Sequence, residues 1–471
     1  MPTYDLLLKN LHVFDPQNHV NQQADIAIAQ GKIAAVDTDI PVALATETHD
    51  MALATAIPGI IDMHVHIGDI WGSPYGQTML AKAGVCTALD MAGPLENILN
   101  VLHKHGAGLN LAILQYASPP FTLKSDTPSK NELATLVKNS LAGGAYGVKL
   151  LGGHYPLTPE ASRELIEITR SQGGYVAWHA GTTHKGSNIE GMREAIECAG
   201  NHFLHLAHIN SYCRGSIRPE LDEMQEAIDL LLKHPNVYSE SYLSPLNGTQ
   251  LTCENGIPVS LVTGNCLKKL GFEATTQGMQ QAFKARQVYC VIDAGNESIR
   301  LTGEEGLKIW QERGTQVGGM FPVNPPLPRI GLAAARRNTG DFVVDCFSTD
   351  GGCIPRNVIV DMGLALVALE VITLADFVRK TSWNPSRMLR LPNKGTLAVG
   401  MDADITVLNI QQRQPVATIA GGHIAMLHGT VTGRGTQVIC TPQGETAIRA
   451  HGLTPYLADP AQPPLPMSAT R

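Results

Sequence analysis

The feature that most constrains the fold is an alternation that runs from residue 58 to about residue 385. Short apolar runs of strand length take turns there with longer amphipathic stretches of helical period. This order predicts βαβ units, in which helices connect parallel strands. Eight such units close as a (β/α)8 TIM-like barrel, an α/β fold. The eight predicted strands are 60–66, 85–91, 110–117, 146–151, 175–180, 203–210, 237–243 and 342–350.

Two of the intervening stretches carry specific helix signals. Thr158 precedes Pro159, which predicts an N-cap followed by proline at the first helical position, and this helix should end near Gly173. A second helix is predicted over 219–234, with one apolar face along its length. The residues at helical spacing on that face are Leu221, Met224, Ile228 and Leu232.

The two ends of the chain share a different pattern. Residues 4–14 and 24–37 show short alternating apolar runs separated by turn residues, which is typical of antiparallel strands. A similar pattern returns at 394–409 and again around 416–440. We therefore expect one small β-sandwich domain built from both chain ends, with the barrel inserted between its halves.

Segment lengths and proline content complete the predicted domain organisation. Residues 244–341 exceed one βα unit, so we expect an insert or lid there, with its own strand near 287–293. The end of the chain is rich in proline, and we expect no regular structure in it. The predicted parts are the split β-sandwich domain (1–57 with 386–445), the barrel domain (58–385) and a C-terminal tail (446–471).

Composition excludes several classes of partner. The net charge of −7 disfavours general binding to nucleic acid or to anionic membranes. No run of 18 apolar residues predicts a membrane span, and the first residues lack the pattern of a signal peptide. The nine cysteines are scattered without a C-x-x-C pair, which favours reduced thiols and a cytoplasmic location. A small-molecule substrate remains the expected partner.

The first predicted barrel strand contains two histidines two residues apart. Side chains alternate faces along a strand, so His64 and His66 project from the same face. Two imidazoles on one buried face need a partner, and a divalent metal ion is a common one at a barrel strand end. In isolation, this pair is better explained by histidines that form ordinary hydrogen bonds, and only the later partners favour a metal.

Four further residues at predicted strand ends can join these two histidines. Each has an ordinary explanation when taken alone: Lys149 could pair with a carboxylate, His179 and His208 could bond to backbone, and Asp350 could cap the next segment. Six such residues at the ends of barrel strands favour a common metal site. Imidazoles with a carboxylate suit Zn²⁺ or a related divalent ion.

In this order and setting, the six residues resemble the binuclear members of the amidohydrolase superfamily. The resemblance spans about residues 5–410 and includes the return strand Gly400-Met-Asp-Ala-Asp404. The motifs that carry it are Pro58-Gly-Ile-Ile-Asp-Met-His-Val-His66, Gly147-Val-Lys149-Leu-Leu, Ala177-Trp-His179-Ala-Gly, Leu206-Ala-His208-Ile-Asn-Ser and Phe347-Ser-Thr-Asp350-Gly-Gly.

The resemblance implies a set of ligands and a chemistry. Lys149 would be N6-carboxylated and would bridge two divalent ions, zinc being the expected metal. Water shared by two such ions has a lowered pKa, and a bridging hydroxide can attack a carbonyl carbon. Asp350 would act first as general base and then as general acid in hydrolysis of a carbon–nitrogen amide bond. The implied sets are His64, His66, Lys149 and Asp350 for one ion, and Lys149, His179 and His208 for the other.

Two motifs point to different branches of the superfamily. The second strand, Ala83-Gly-Val-Cys-Thr-Ala-Leu-Asp-Met-Ala, is similar to hydantoinases, dihydroorotases and allantoinases. Asp350-Gly-Gly instead resembles isoaspartyl dipeptidase and N-acyl-D-amino-acid deacylases. Cys86 lies off the position of the latter group's cysteine ligand, so we expect a packed thiol there. The implied substrate is an N-acyl amino acid, an isoaspartyl-like amide or a cyclic amide.

Four residues beyond the strand ends are candidates for contacts with the substrate. Arg214 and Arg218 follow the sixth strand and could bind a substrate carboxylate, as could Arg356. Tyr155 could donate its hydroxyl to the developing oxyanion and contact the substrate. The alternatives, solvated loop arginines and a tyrosine packed at the barrel rim, are equally compatible with the sequence.

Two other functions use the same fold. A mononuclear aromatic deaminase is disfavoured by Lys149 and by Ala180-Gly181, because such enzymes usually place a glutamate near the fifth-strand histidine. A non-catalytic scaffold like the dihydropyrimidinase relatives is disfavoured because all six candidate ligands are present. Many relatives assemble through the barrel, so the resemblance also implies a homo-oligomer.

Overall fold

The structure is a computed structural model that describes residues 2–68, 73–91, 93–465 and 467. Its N-terminal segment forms one half of a β-sandwich. Alternation along the first strand buries Leu11 and Val13 and leaves His12 and Phe14 partly exposed. The strands of this half are β1 (Tyr4–Asp15), β2 (Val20–Ala29), β3 (Lys32–Asp37), β4 (Ala45–Asp50) and β5 (Thr55–Pro58).

The next seven strands are parallel, and each pairs with the one that follows it in the chain. They are β6 (Ile60–His66), β7 (Val85–Asp90), β8 (Ala107–Ala117), β9 (Gly147–Leu151), β10 (Tyr175–His179), β11 (Leu204–Leu206) and β12 (Val237–Tyr242). The helices between them are α1 (Gly76–Lys82), α2 (Leu95–His105), α3 (Lys130–Ala142), α4 (Pro159–Ser171), α5 (Ile189–Ala199) and α6 (Glu220–Lys233).

One predicted helix signal is confirmed, and one predicted helix face is confirmed only at its two middle residues, Met224 and Ile228, which are partly buried against the core. Helix α4 begins at Pro159, and the Thr158 hydroxyl caps it by accepting a hydrogen bond from a backbone N–H of the first turn. On α6, however, Leu221 and Leu232 are 55% and 43% exposed. The buried positions of α6 are Glu223, Ala227 and Leu231. The helix is turned this way because the Glu223 carboxylate accepts hydrogen bonds from three backbone N–H groups of the preceding loop.

Residues 244–341 fold around a hydrophobic core of their own. Phe283, Trp310 and Phe321 are buried in this core beside a four-stranded sheet. The strand predicted near 287–293 is confirmed as β16. The elements are β13 (Asn247–Gln250), β14 (Cys253–Glu254), β15 (Ile257–Pro258), α7 (Leu261–Lys269), α8 (Thr276–Lys284), β16 (Tyr289–Asp293), β17 (Ser298–Leu301), α9 (Gly303–Glu312), β18 (Gly318–Phe321) and α10 (Pro326–Ala334).

The eighth barrel strand is broken into two short segments. The first, β19 (Cys346–Ser348), pairs with β12, and the second, β20 (Gly351–Gly352), pairs with β6. Between them Asp350 adopts a left-handed backbone conformation with φ 51°, which aspartate tolerates better than most residues. This break closes the sheet and turns Asp350 towards the first strand. The helices that follow are α11 (Ile359–Ala368), α12 (Leu374–Val378) and α13 (Asn384–Met388), with a π-helical turn (Arg379–Trp383) joining the last two.

The chain then returns to the β-sandwich. Strand β21 pairs with β5 in antiparallel fashion, which joins the two halves in one sheet. The predicted barrel and the predicted sheet from both chain ends are therefore confirmed. In the described part of the chain, no helix has the length and apolarity needed to cross a membrane. The returning strands are β21 (Ile405–Asn409), β22 (Gln414–Ala420), β23 (His423–Leu427) and β24 (Thr430–Val431).

Two expectations about the C-terminal segment are wrong. Strand β25 (Gly435–Cys440) leaves the sandwich and pairs in parallel with β8 of the barrel, along the part of its edge that β9 does not occupy. The segment predicted to be irregular contains α14 (Glu445–Ala450) and β26 (Thr454–Leu457), which pairs with β25. Pro455 fits in β26 because an edge strand tolerates the loss of one backbone donor. Residues 466 and 468–471 of the predicted tail lie outside the described residues.

Candidate metal centre

Three of the candidate ligands form a compact group at the C-terminal edge of the barrel. His64 and His66 project from the end of β6, and Asp350 reaches them from the break in the eighth strand. One ligand atom from each residue lies within 4.8 Å of the others. His66 Nε2 is 2.8 Å from Asp350 Oδ1, and His64 Nε2 is 3.5 Å from the same oxygen. His66 Nδ1 is buried and has no hydrogen-bond partner among the described residues.

Lys149 extends this group from β9. Its Nζ lies 3.0 Å from His64 Nε2, and the side chain is buried. Burial lowers the pKa of Lys149 to about 8, although the nearby carboxylates of Asp350 and Glu240 oppose the shift. A lysine with a lowered pKa is partly uncharged near neutral pH. An uncharged amine does not repel neighbouring cations as an ammonium group does, so it is better suited to a site that binds cations.

His179 and His208 stand on the other side of His64. The imidazoles of His64 and His208 are stacked with their centroids 5.1 Å apart, and His208 Nε2 is 3.1 Å from His179 Nδ1. Burial lowers the pKa of His208 to about 3 and holds the pKa of His179 well below its usual value. Both rings are therefore neutral near pH 7, which is the form that binds metal. The structure thus brings all six predicted ligands together.

Gly153 makes room for His179. A Cβ atom built on this glycine would lie 2.1 Å from His179 Nε2, closer than any non-bonded contact allows. The same Nε2 is hydrogen-bonded to Ser187, whose hydroxyl oxygen is 2.8 Å away. The loop after β9 therefore depends on a glycine so that the His179 ring can reach the cluster.

Arg356, a predicted substrate contact, is engaged with Asp350. Its guanidinium donates to the Asp350 carboxylate at 2.6 Å and to the Asp350 backbone carbonyl at 2.6 Å, and a third nitrogen donates to the carbonyl of Leu246. Burial by itself would raise the pKa of Asp350, but Arg356 and His64 outweigh it and hold that pKa well below its usual range. This arrangement suits a residue that positions Asp350 and leaves no guanidinium nitrogen facing a substrate.

Arg214 is placed differently from the other two arginines. It donates to Asn247 Oδ1 at 2.7 Å, to the Tyr242 hydroxyl at 2.9 Å and to Asn324 Oδ1 at 2.9 Å. All three acceptors are neutral, and no carboxylate pairs with Arg214 within the described ranges of the chain. Its positive charge is therefore oriented but not neutralised.

Arg218 and Tyr155 lie farther from the cluster. Arg218 forms an ion pair with Glu226, which also binds Arg193, on the outer surface of α5 and α6. This position disfavours contact with a substrate in the barrel. Tyr155 is 40% exposed, and its ring packs edge-on against that of Phe121 at 5.5 Å.

The cysteines do not take part in the cluster. Cys86 is buried 3.6 Å from the carbonyl oxygen of Ile405, against the returning strand of the sandwich, as a packed thiol would be.

Glu240 is a member of the site that the sequence did not reveal. It lies in β12 and is fully buried, and its Oε1 is hydrogen-bonded to His64 Nδ1 at 2.8 Å and accepts from the His208 backbone N–H at 2.7 Å. Its other oxygen accepts from the Ser348 hydroxyl. The only signal in the sequence was an acidic residue in the middle of a strand whose neighbours are otherwise uncharged.

Comparison with known proteins agrees with this architecture. The family model for the amidohydrolase family matches residues 55–425. The chain is 26% identical over 429 residues to a dihydroorotase of Syntrophus aciditrophicus (strain SB), covering 86% of this chain and 89% of that protein.

Two solved structures share the barrel and the β-sandwich. One is the N-acyl-D-glutamate deacylase from Bordetella bronchiseptica complexed with zinc and a phosphonate inhibitor (TM-score 0.64, 13% identity, 93% of this chain and 99% of that chain). The other is the L-hydantoinase from Arthrobacter aurescens (TM-score 0.59, 16% identity, 92% and 99%). These identities support the fold alone. Since the family model covers well over half of the sequence, the chain belongs to the amidohydrolase family, hydrolytic enzymes that act on carbon–nitrogen bonds.

Proposed function

We propose that the protein is a two-metal hydrolase that cleaves an amide bond of a small-molecule substrate. The observation that carries this proposal is the convergence of the six predicted ligands around His64, with Asp350 Oδ1 and Lys149 Nζ at 3.5 Å and 3.0 Å from its Nε2. The substrate would be an N-acyl amino acid, an isoaspartyl-like amide or a cyclic amide. The names of the similar proteins, a dihydroorotase, a deacylase and a hydantoinase, lie within this range.

The donor set supports two divalent ions. His64, His66, Lys149 and Asp350 would hold one, and Lys149, His179 and His208 would hold the other. Lys149 would serve both as an N6-carboxylated side chain, because a bare amine carries no negative charge to share between two cations. Zinc suits the imidazole and carboxylate donors, and the deacylase structure with the same fold contains zinc. Bound ions of this kind lower the pKa of water and polarise a carbonyl oxygen.

Asp350 is placed to move the proton. We expect its carboxylate to accept a proton from the attacking water and to deliver it to the leaving nitrogen, so that the carbon–nitrogen bond breaks as the new carbon–oxygen bond forms. The pKa of Asp350 is held well below its usual range, so the group is ionised and can act as a base at neutral pH. Arg356 would hold the carboxylate in place through both of its contacts.

Arg214 is the best candidate for binding the substrate carboxylate. Its neutral partners orient the guanidinium and leave its charge free for a carboxylate. The loop that carries it is held by buried Glu223, which accepts hydrogen bonds from three backbone N–H groups just after Arg214. Such preorganisation reduces the entropy lost on binding. Tyr155 remains the proposed donor to the oxyanion, since its exposed ring stands at the barrel rim.

One panel of assays tests this function. Metal-loaded protein should hydrolyse either N-acyl-D- or N-acyl-L-amino acids and isoaspartyl dipeptides, or the cyclic amides hydantoin, dihydroorotate and allantoin. Metal analysis of the same preparation should give close to two ions per chain. A single ion together with deamination of an aromatic base would instead support the mononuclear deaminase. Absence of hydrolysis across the whole panel by two-metal protein would contradict the proposed substrate class.

A further inference from the structure

Glu240 links three parts of the barrel beneath the candidate metal centre. Its carboxylate is bonded to the side chain of His64 at the end of β6, to the backbone of His208 after β11, and to the hydroxyl of Ser348 in β19. It is fully buried, so solvent does not share its oxygens. The His208 N–H and the Ser348 hydroxyl both donate to it, and these two hydrogen bonds together with the nearby Lys149 favour its ionised form, which can only accept from His64 Nδ1.

The bond to His64 determines which ring nitrogen of that residue can bind a metal. A neutral imidazole carries one N–H group, so donation from Nδ1 to Glu240 leaves Nε2 with a free lone pair. That Nε2 is the atom that lies 3.0 Å from Lys149 Nζ and 3.5 Å from Asp350 Oδ1. If the proton sat on Nε2 instead, His64 would present an N–H to the site and could not act as a ligand.

The bond to His208 acts on the backbone. His208 has a left-handed conformation with φ 36°, which costs energy for a residue with a side chain. Its N–H donates to Glu240 Oε1 at 2.7 Å, in the same strand-end turn that directs its imidazole towards His179. Glu240 thus contacts one member of each proposed ligand set.

We propose that Glu240 is a positioning residue that keeps the His64 proton on Nδ1 and holds the His208 backbone in its ligating conformation. The proposal rests on the proposed metal centre and adds a residue to it from the seventh strand. Partners of this kind orient metal ligands and raise their basicity, and their loss typically costs 10- to 100-fold in metal affinity, a range given for such residues in general.

The first experiment compares two substitutions at the same position. Glu240→Met keeps a similar volume but removes both acceptors. Glu240→Gln keeps one oxygen, which can still accept from His64 and His208, while its amide N–H can donate to the Ser348 hydroxyl oxygen. We expect the Met variant to bind zinc about 10-fold or more weakly in chelator competition, and the Gln variant to stay within about 3-fold of wild type.

A matched control separates positioning from general destabilisation. Asp345 is also a buried carboxylate, placed directly before β19, and it accepts a hydrogen bond from the Ser239 backbone N–H at 2.8 Å, away from the candidate ligands. Asp345→Leu should lower the unfolding temperature of metal-free protein as Glu240→Met does, but should leave zinc affinity unchanged. Equal loss of affinity in both apolar variants would overturn the proposal, as would wild-type affinity in Glu240→Met or failure of Glu240→Gln to retain it.

A second measurement needs no folded variant at position 240. In metal-free wild-type protein labelled with ¹⁵N-histidine, the resonances assigned to His64 by their loss in His64→Gln should report a proton on Nδ1 and none on Nε2. A proton on Nε2 would overturn the proposal. Failure of the wild-type protein to bind zinc would refute the metal centre itself. The position of the His64 proton can still be measured in that case, because this measurement is made without metal.

Discussion

Arg356 binds Asp350 at two points, through the side-chain carboxylate at 2.6 Å and through the backbone carbonyl at 2.6 Å. The two residues flank the Gly351–Gly352 segment that pairs with the first barrel strand. A charged side chain therefore fixes both the ionisation and the position of the proposed base. This relationship makes the pH dependence of the enzyme a direct test of the site.

Arg356→Gln should move the acid limb of the pH profile to higher pH. Asp350 is active when ionised, and activity is lost as the pH falls through its lowered pKa. Removal of the guanidinium raises that pKa, so the limb of kcat/KM should shift upward by about one pH unit or more. The free energy of unfolding should depend on pH in the same direction. A carboxyl group with a lowered pKa stabilises the protein fully above the pKa that it has in the unfolded chain, and this stabilisation is lost as the pH falls through its pKa in the folded protein. Arg218→Gln is the control, and an unshifted limb in Arg356→Gln would contradict this account.

Lys149→Met should remove the proposed bridge while keeping the aliphatic stem. We expect metal content to fall from two ions per chain to one or fewer, with loss of hydrolysis, as measured by elemental analysis and substrate turnover. Lys380→Met is a suitable control because Lys380 is also a buried lysine with a lowered pKa, but it donates to the carbonyl of Val344. Two ions and full activity in Lys149→Met would refute the carboxylated-lysine assignment.

Arg214→Gln should weaken binding of the substrate carboxylate more than it slows the chemical step. Loss of a charge-assisted hydrogen bond costs about 1.5–3 kcal/mol, so KM should rise about 10- to 100-fold with a smaller change in kcat. The same substitution should have little effect on a neutral analogue that lacks the carboxylate. Equal effects on the charged and neutral substrates would remove Arg214 from the binding site.

Gly153→Ala should displace His179 and reduce occupancy of the second metal position. The added methyl group would lie 2.1 Å from His179 Nε2, so the ring or the loop must move. Gly186→Ala is a matched control in the same region, because its nearest atom, Asn188 Nδ2, is 3.5 Å away. Metal titration should show two sites in the control and one weakened site in Gly153→Ala. Two unchanged sites would mean that the loop after β9 adapts without moving His179.

Tyr155→Phe should lower kcat about 100-fold if the hydroxyl stabilises the oxyanion, with metal content unchanged. The substitution keeps the ring and its contact with Phe121, so folding should not be affected. Wild-type kcat in this variant would assign Tyr155 to packing at the rim.

The sequence by itself determined the barrel, the sheet shared by the two chain ends and the strand that carries each candidate ligand. It could do so because strand and helix periods are local, and because consecutive parallel strands bring their C-terminal ends to the same edge of a barrel. The six candidate ligands could therefore be placed together from the sequence alone: His64, His66, Lys149, His179, His208 and Asp350. The break in the eighth strand could not, since it depends on pairing with two different neighbours.

Only the tertiary structure decided which polar residues turn towards that edge. Arg214 and Arg218 lie four residues apart in one loop but point in different directions. Arg214 is held by neutral partners, whereas Arg218 forms an ion pair with Glu226. The alternation of apolar residues in β25 is compatible with either the sandwich or the barrel. Strand β25 joins the barrel because part of the β8 edge is open to pair with it. An acidic residue in an uncharged strand did not by itself mark Glu240 as a site residue, because its role comes from two histidines 176 and 32 residues away in the chain. The periods of strands and helices, and their order along the chain, can be identified from local sequence. Hydrogen-bond partners and open strand edges exist only once distant segments have packed together.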